Sequence, residues 1–283
     1  MENSEEIHTM ETHKEDNDPI LEYKNIDTSH LNKFYLGPVA MLAANTGELV
    51  AYTFQTMEEM RNKPNGGPYV VLPLDPYRLQ WLKRRKKYHP LLKEIFLFLP
   101  EGAGLGFLAK AEGHNIPEKT SGIGYTMSLI RLAQAKNFTV FLVGTKDEIL
   151  DRLVVNLKRS YPQLRLVGKH HGYWRSEGKM RVVEALRKTE PHIILLGIGF
   201  HRGLRWIAEN RERLGRSVLI NLGGDMDVLA GVRKKAPDSW ATNGYSWLWR
   251  SLHNPLRWYR LFWVLPLYLR ALFLILFRRQ RKN

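Results

Sequence analysis

The stretch Ile193-Ile194-Leu195-Leu196-Gly197-Ile198-Gly199 decides the fold. It is apolar up to and between its two glycines and shows none of the polar alternation of a strand with one wet face. Such a strand is buried on both faces, which happens in parallel sheets covered by helices above and below. The pattern recurs in both directions along the chain. Downstream stands Ser217-Val218-Leu219-Ile220-Asn221-Leu222, with a predicted helix over 203–213 in between. Upstream stand Leu164-Arg165-Leu166-Val167-Gly168, Thr139-Val140-Phe141-Leu142-Val143, Ile95-Phe96-Leu97-Phe98-Leu99 and Tyr69-Val70-Val71-Leu72. Helices are predicted over 177–188, 147–159 and 126–136. Another is opened by Asp75-Pro76, carries Leu79, Trp81 and Leu82, and ends in Lys83-Arg84-Arg85-Lys86-Lys87. Thr46 is the expected N-cap of a helix bearing Leu49, Tyr52, Phe54 and Met57. Asn65-Gly66-Gly67-Pro68 reads as a turn. Strands alternating with helices predict an α/β fold, a Rossmann-like and mostly parallel sheet with helices on both faces. Glycines follow most strands at the carboxyl end, the edge where open α/β sheets bind ligands.

The 283 residues can bury one large core or two small ones. Composition divides them into an acidic, polar tail over 1–19 that is expected to be disordered, a core over 20–240 and a C-terminal appendage over 241–283. The net charge is +15, which points to an anionic partner: nucleic acid, acidic lipid or a phosphorylated substrate. The positive charge collects beside an apolar tail and no nucleic-acid motif is present, so nucleic acid is set aside and an anionic membrane surface expected. Absence of cysteine excludes disulfides and thiolate metal sites. His8 and His13 lack a scaffold, and His170-His171 has no third ligand nearby in sequence, so no metal is predicted. The N-terminus lacks the basic-then-apolar pattern of a cleavable signal peptide.

Candidate chemistry gathers at the predicted strand ends. Glu101, in Pro100-Glu101-Gly102, can act as general base on a hydroxyl; as a plain alternative it caps the next helix or is solvated. Gly197-Ile198-Gly199 either turns the chain or approaches a ligand. Gly223-Gly224-Asp225-Met226-Asp227 frees backbone N–H groups for an anion or ribose, or is a turn with a capping Asp. Arg250, Arg257 and Arg260, spaced by seven and three, fall on one helical face. Guanidinium groups bind diphosphate bidentately, and they also snorkel to lipid headgroups. Leu261–Phe277 is apolar apart from Arg270 and is expected to be broken by Pro266. It is short against the roughly 20 residues of a span. With Trp258, Tyr259, Trp263 and Tyr268 around it, the tail fits an interfacial, monotopic segment better than a crossing one.

The order of these blocks resembles the WecG/TagA/CpsF family of bacterial glycosyltransferases from about Leu36 to Arg260. Pro100-Glu101-Gly102-Ala103-Gly104 is similar to the family's Pro-Asp-Gly block. Tyr161-Pro162, Gly168 and His171-Gly172-Tyr173 are similar to its central Tyr-Pro…Gly-Tyr block. Gly223 to Gly231 with Ala236-Pro237 is similar to its Gly-Gly-x-Phe-Asp block, and Trp247-Leu248-Trp249-Arg250 with Pro255, Arg257 and Arg260 to its Trp-Leu-Tyr-Arg…Pro-x-Arg-x-x-Arg block. The resemblance implies a Rossmann-like core whose appendage touches the membrane and completes the active site. It implies inverting, cofactor- and metal-independent transfer from a UDP-sugar of the N-acetylmannosamine type, or a related hexose, to a polyprenyl-diphosphate-linked saccharide. This would occur at the cytoplasmic face of the bacterial inner membrane in cell-surface polysaccharide synthesis, in a peripheral protein that can be a homo-oligomer. It makes Glu101 the base, puts Tyr173, Gly199, Gly223, Gly224 and Asp227 at the nucleotide-sugar, and Arg250, Arg257 and Arg260 at the diphosphate. Asp75 and Lys119 fall at the acceptor pocket. The sequence departs from the pattern at Glu101 for Asp, Pro73-Leu74-Asp75 for Thr-x-Asn, Lys119 for Arg, Gly124 for Asp, His201-Arg202-Gly203-Leu204 for Pro-Lys-Gln-Glu, and Ser246 for Glu. These departures fit a changed donor or acceptor, or a homologue that has lost catalysis and binds nucleotide-sugar, lipid or a partner enzyme.

Overall fold

The computed structural model describes residues 19–60, 67–117, 120–174, 176–233, 237, 239–240, 249 and 258–280. The acidic tail up to residue 18, Asn65 and Gly66 of the expected turn, Lys119, Arg250 and Arg257 lie outside the described residues. In chain order the elements are α1 (Pro19–Lys24), β1 (Lys33–Leu36), β2 (Val39–Leu42), α2 (Thr46–Met60), β3 (Tyr69–Leu74), α3 (Pro76–Arg84), α4 (His89–Leu92), β4 (Leu97–Pro100), α5 (Ala103–Glu112) and α6 (Gly122–Ala135). There follow β5 (Thr139–Gly144), α7 (Asp147–Ser160), β6 (Arg165–His170), α8 (Ser176–Thr189), β7 (Ile193–Gly197), α9 (Phe200–Asn210), β8 (Val218–Asn221), α10 (Asp225–Leu229) and α11 (Tyr259–Gln280).

Six strands form one sheet in the order β4-β3-β8-β7-β5-β6, every neighbouring pair parallel. The apolar runs do what their composition demands. Along β3, Val70, Leu72 and Leu74 enter one core and Val71 the other; along β7, Ile194 and Leu196 enter the first and Ile193 and Leu195 the second. The first core is closed by Leu79 and Leu82 of α3, Leu105 and Leu108 of α5, Val182 and Leu186 of α8, Leu204 and Ile207 of α9, and Leu267 and Ala271 of α11. The second is closed by α2, α6 and α7, for example Phe54, Leu129 and Leu153. Three amino-terminal approaches to the sheet turn through left-handed backbone, at Asn137 (φ 55°) before β5, Glu190 (φ 39°) before β7 and Gly215 (φ 38°) before β8.

Connectivity fixes where the sheet can hold a ligand. The chain leaves β5 outward to the edge strand β6, but leaves the neighbouring β7 inward to β8. Diverging connections open a crevice at the carboxyl ends of that pair.

Several sequence expectations shift. The cap of α2 is Asn45, not Thr46: Asn45 Oδ1 accepts from the Glu48 N–H at 2.9 Å while Glu48 Oε2 accepts from the Asn45 N–H at 2.7 Å, a reciprocal capping box. The helix expected over 126–136 begins at Gly122, capped by Ser121 Oγ; its two early glycines hide the start. Helix α5 and the antiparallel β1–β2 pair were not expected, α5 because it too is glycine-rich. Pro266 does not break the tail. It sits inside one helix, α11, on the exposed side, where the hydrogen bond it removes leaves a carbonyl that need not be buried. Among the described residues α11 is the helix long and apolar enough to cross a membrane, with mean hydropathy 1.8 over Tyr259–Phe277.

Candidate active site

Backbone contacts build the crevice between β5 and β7. Gly144 has φ +141°, and a Cβ there would lie 2.5 Å from the Gly197 backbone, so only glycine lets the two strand ends close up. Thr145 follows in left-handed backbone at φ 49°, its N–H donating to the Gly197 carbonyl at 3.2 Å. Gly172 N–H donates to the Thr145 carbonyl at 2.8 Å, and Gly223 N–H to the Leu196 carbonyl at 3.2 Å. The loops after β5, β6, β7 and β8 are thereby tied together. Gly199, at φ +86°, has open space among the described residues where a side chain would stand. Tyr173 lies 64% exposed. Asp227 is oriented on this same wall: Thr145 Oγ1 donates to its Oδ1 at 2.8 Å, and Arg233 Nε stands 3.5 Å from its Oδ2. Gly224 is the neighbour of Arg233, whose Nη1 would lie 3.1 Å from an added Cβ.

A charge network occupies the ends of β3 and β4. Asp75 caps α3, accepting from the Arg78 N–H at 2.7 Å. The Arg78 side chain turns back over the strand ends. Its Nη1 donates to Glu101 Oε2 at 2.9 Å and to the Pro73 carbonyl at 2.7 Å, its Nε lies 3.5 Å from Asp75 Oδ2, and its guanidinium sits 5.1 Å from the Phe200 ring centre. Glu101 Oε1 accepts from the Gly122 N–H at the start of α6, at 3.2 Å. Burial works against the charge on Arg78. Asp75, Glu101 and Asp225 outweigh it and hold the pKa above the ordinary arginine value. Asp225, 2% exposed, adds its charge to this cluster.

Helix α11 closes the far side. Tyr77 of α3 meets Tyr259 at 5.9 Å and Trp263 at 6.3 Å, and Arg260 Cζ lies 4.6 Å from the Tyr77 ring centre. Burial first, then hydrogen bonding with Tyr259, pushes the Tyr77 hydroxyl up to about 12. His201, second residue of α9, stacks on Trp81 at 4.4 Å. Its pKa is lowered by burial, then by Arg260 and Arg78. Further along, Tyr268 lies against α5: a Cβ on Gly104 would fall 2.2 Å from its hydroxyl and 2.7 Å from Pro76 Cγ.

Of the residues singled out from sequence, Gly199, Gly223, Gly224, Tyr173 and Asp227 gather at the crevice, while Glu101 and Asp75 meet through Arg78, and Arg260 stands across Tyr77 from them. Arg78 and Thr145 escaped the sequence reading. Arg78 left one trace, an arginine three residues after the capping Asp75 in a helix whose neighbours Tyr77, Leu79 and Leu82 are buried. Thr145 left none, because its role depends on a left-handed backbone.

The sequence model described as "Glycosyl transferase WecG/TagA/CpsF family" matches residues 43–282. An N-acetylglucosaminyldiphosphoundecaprenol N-acetyl-beta-D-mannosaminyltransferase of Bacillus subtilis is 24% identical over 176 residues, 62% of this chain and 68% of that protein. Proteins of the same name are 26% identical over 185 residues in Bacillus spizizenii (65% of this chain, 71% of that protein) and 23% identical over 182 residues in Staphylococcus aureus (64% and 71%).

Proposed function

This chain belongs to the WecG/TagA/CpsF family of glycosyltransferases, and we propose that it transfers an N-acetylmannosamine-type sugar or related hexose from UDP to a polyprenyl-diphosphate-linked saccharide. The names of its relatives, which specify an undecaprenyl-diphosphate-linked acceptor and a mannosaminyl group, support that substrate class. The donor lies in the β5/β7 crevice, with Gly199, Gly223 and Gly224 letting its phosphates and ribose approach the backbone and Asp227 and Tyr173 at the nucleotide. The acceptor hydroxyl comes to Glu101, with Asp75 and Lys119 in the acceptor pocket. The hydroxyl oxygen attacks the anomeric carbon from the face opposite UDP, its proton passes to the Glu101 carboxylate, and the C–O bond to the diphosphate breaks with inversion. Arg250, Arg257 and Arg260 stabilise the charge on the departing UDP, so no metal is required.

The observation that carries the reading is the way Glu101 is held. It stands at the carboxyl edge of the sheet, its side chain 17% exposed, with Oε2 accepting from Arg78 Nη1 and Oε1 from the Gly122 N–H. A carboxylate held in one orientation at a strand end can receive a proton from a hydroxyl brought to it. The same clamp favours a second reading. A carboxylate paired with guanidinium is a weaker base, which suits a homologue that binds nucleotide-sugar or lipid without transfer. Purified protein offered a panel of UDP-sugars with a short-chain lipid-diphosphate sugar decides between them. Transfer that falls by at least about a hundredfold in Glu101→Ala supports the base. Undiminished transfer by Glu101→Ala removes Glu101 from the chemistry, and no transfer with any donor removes the enzyme.

The site works beside a bilayer in this proposal, at its cytoplasmic face. Helix α11 turns Leu267, Ala271 and Tyr268 to α3 and α5 and leaves Phe262, Leu265, Leu269, Leu272, Phe273 and Phe277 exposed. One stripe docked and the other bare suits a helix lying in the interface. A chain ending at Tyr259 is expected to lose flotation with anionic vesicles. If the apolar stripe instead joins two copies, that truncation changes the sedimentation coefficient and leaves flotation intact.

A further inference from the structure

Two buried polar atoms at the α3–α9–α11 junction, His201 Nε2 and Arg260 Nε, have no hydrogen-bond partner among the described residues. A buried polar group left unanswered destabilises the fold, so each instance calls for a reason. The two belong to one assembly. The Tyr77 ring lies 6.0 Å from the His201 ring and 4.6 Å from Arg260 Cζ, and Trp81 closes the other face of the imidazole. The charges acting on His201 are Arg260 from α11, Arg78 and Arg85 from α3 and its end, and Asp75 at the start of α3. Positive charge exceeds negative there. Arg78 is answered by Glu101 and Asp75, whereas the Arg260 guanidinium lies on an aromatic ring. A Cβ on Gly199, two residues before His201, would meet no atom within 4 Å among the described residues.

We propose that His201 is a binding residue that seats a substrate diphosphate together with Arg260, taking up a proton as the diphosphate arrives. The proposal rests on the transfer reading only for what that diphosphate is attached to, a nucleoside or a prenyl chain. Without ligand, burial and the surrounding arginines disfavour the protonated imidazole. An arriving anion offsets those arginines and makes the protonated ring the better partner, a charge-assisted donor facing phosphate oxygen. The sign follows. The bound-state pKa lies above the free-state one, so between the two the complex holds more protons than the free protein. Binding therefore tightens as pH falls through that window and is flat outside it.

Titration calorimetry on the full chain, in two buffers of different ionisation enthalpy, tests this with UDP in one arm and farnesyl diphosphate in the other. Both probes titrate themselves, so the readout is wild type against His201→Gln. Wild type is expected to take up more protons than His201→Gln and to bind about tenfold or more tighter near neutrality. His201→Lys, a permanent cation, is expected to restore affinity while flattening its pH dependence, a result no structural role produces. A response confined to UDP assigns the seat to the donor, and one confined to farnesyl diphosphate assigns it to the acceptor; either supports the proposal. Equal proton uptake with affinity within about twofold in both arms overturns it. Should His201→Gln not fold, the wild-type His201 ring resonance, titrated with and without each probe, decides: an unmoved midpoint overturns the proposal. Binding that depends on His201 in a protein that transfers no sugar would sink the transferase reading and leave this one standing.

Discussion

The two halves of the carboxyl edge solve their problem with different materials. Between β5 and β7, close backbone contact does the work: Gly144 against Gly197, Gly172 on Thr145, Gly223 on Leu196. At β3 and β4 it is charge, with Arg78 among Asp75, Glu101 and Asp225. The first half is built on glycines and the second on ionised side chains. A glycine-built wall accepts almost no side chain, whereas a charged cluster can be rewritten residue by residue if its sum stays near balance. Arg78 is what allows three carboxylates to share one buried corner.

The largest effect expected from breaking this contrast is at Arg78. Arg78→Gln strands Glu101, Asp75 and Asp225 without their cation, which costs about 3–5 kcal/mol. Ionised carboxylates left close together without that cation repel one another. The loss should therefore shrink as pH falls, and urea unfolding of the variant at pH 7.5 and pH 5 checks it. A pH-independent loss would mean that packing on Phe200, not charge, is what Arg78 supplies. Next comes Gly144→Ala, where positive φ and a 2.5 Å approach to Gly197 predict about 3 kcal/mol, with UDP binding lost alongside, read by the unfolding midpoint and by calorimetry. Gly104→Val is expected to cost about 1–2 kcal/mol by pushing against Tyr268 and Pro76. Hydrogen exchange should quicken in α11 and stay slow in β5 and β7. Smallest is Arg270→Ala: the 3.1 Å pair with Glu112 is exposed and should move stability by less than about 1 kcal/mol.

How much of this the sequence discloses depends on the range of the cause. The strands of the parallel sheet are legible because burial on both faces leaves an unbroken apolar run, as in Ile193–Leu196. Asp75-Pro76 announces α3 because capping is a local event. Helix α5 and the start of α6 stay hidden because their glycines, Gly104 and Gly122, are chosen for tertiary reasons. Tyr268 and Pro76 press on Gly104, and Glu101 Oε1 lies 2.6 Å from where a Cβ on Gly122 would stand. For the site, the residue types at strand ends were readable, but their partners were not. Nothing within a few residues of Glu101 announces Arg78, and nothing near Asp227 announces Thr145, because each pairing is made by strand order.

The left-handed turns at Asn137, Glu190 and Gly215 have a practical consequence. They mark the amino-terminal rim of the sheet, opposite every residue discussed as chemistry. A fluorophore or a surface tether attached along that rim leaves both halves of the carboxyl edge clear. Two such labels, read against a dye in the lipid, would give the tilt of the whole molecule on a vesicle. Orientation thus becomes a measurable coordinate, separate from affinity and from turnover.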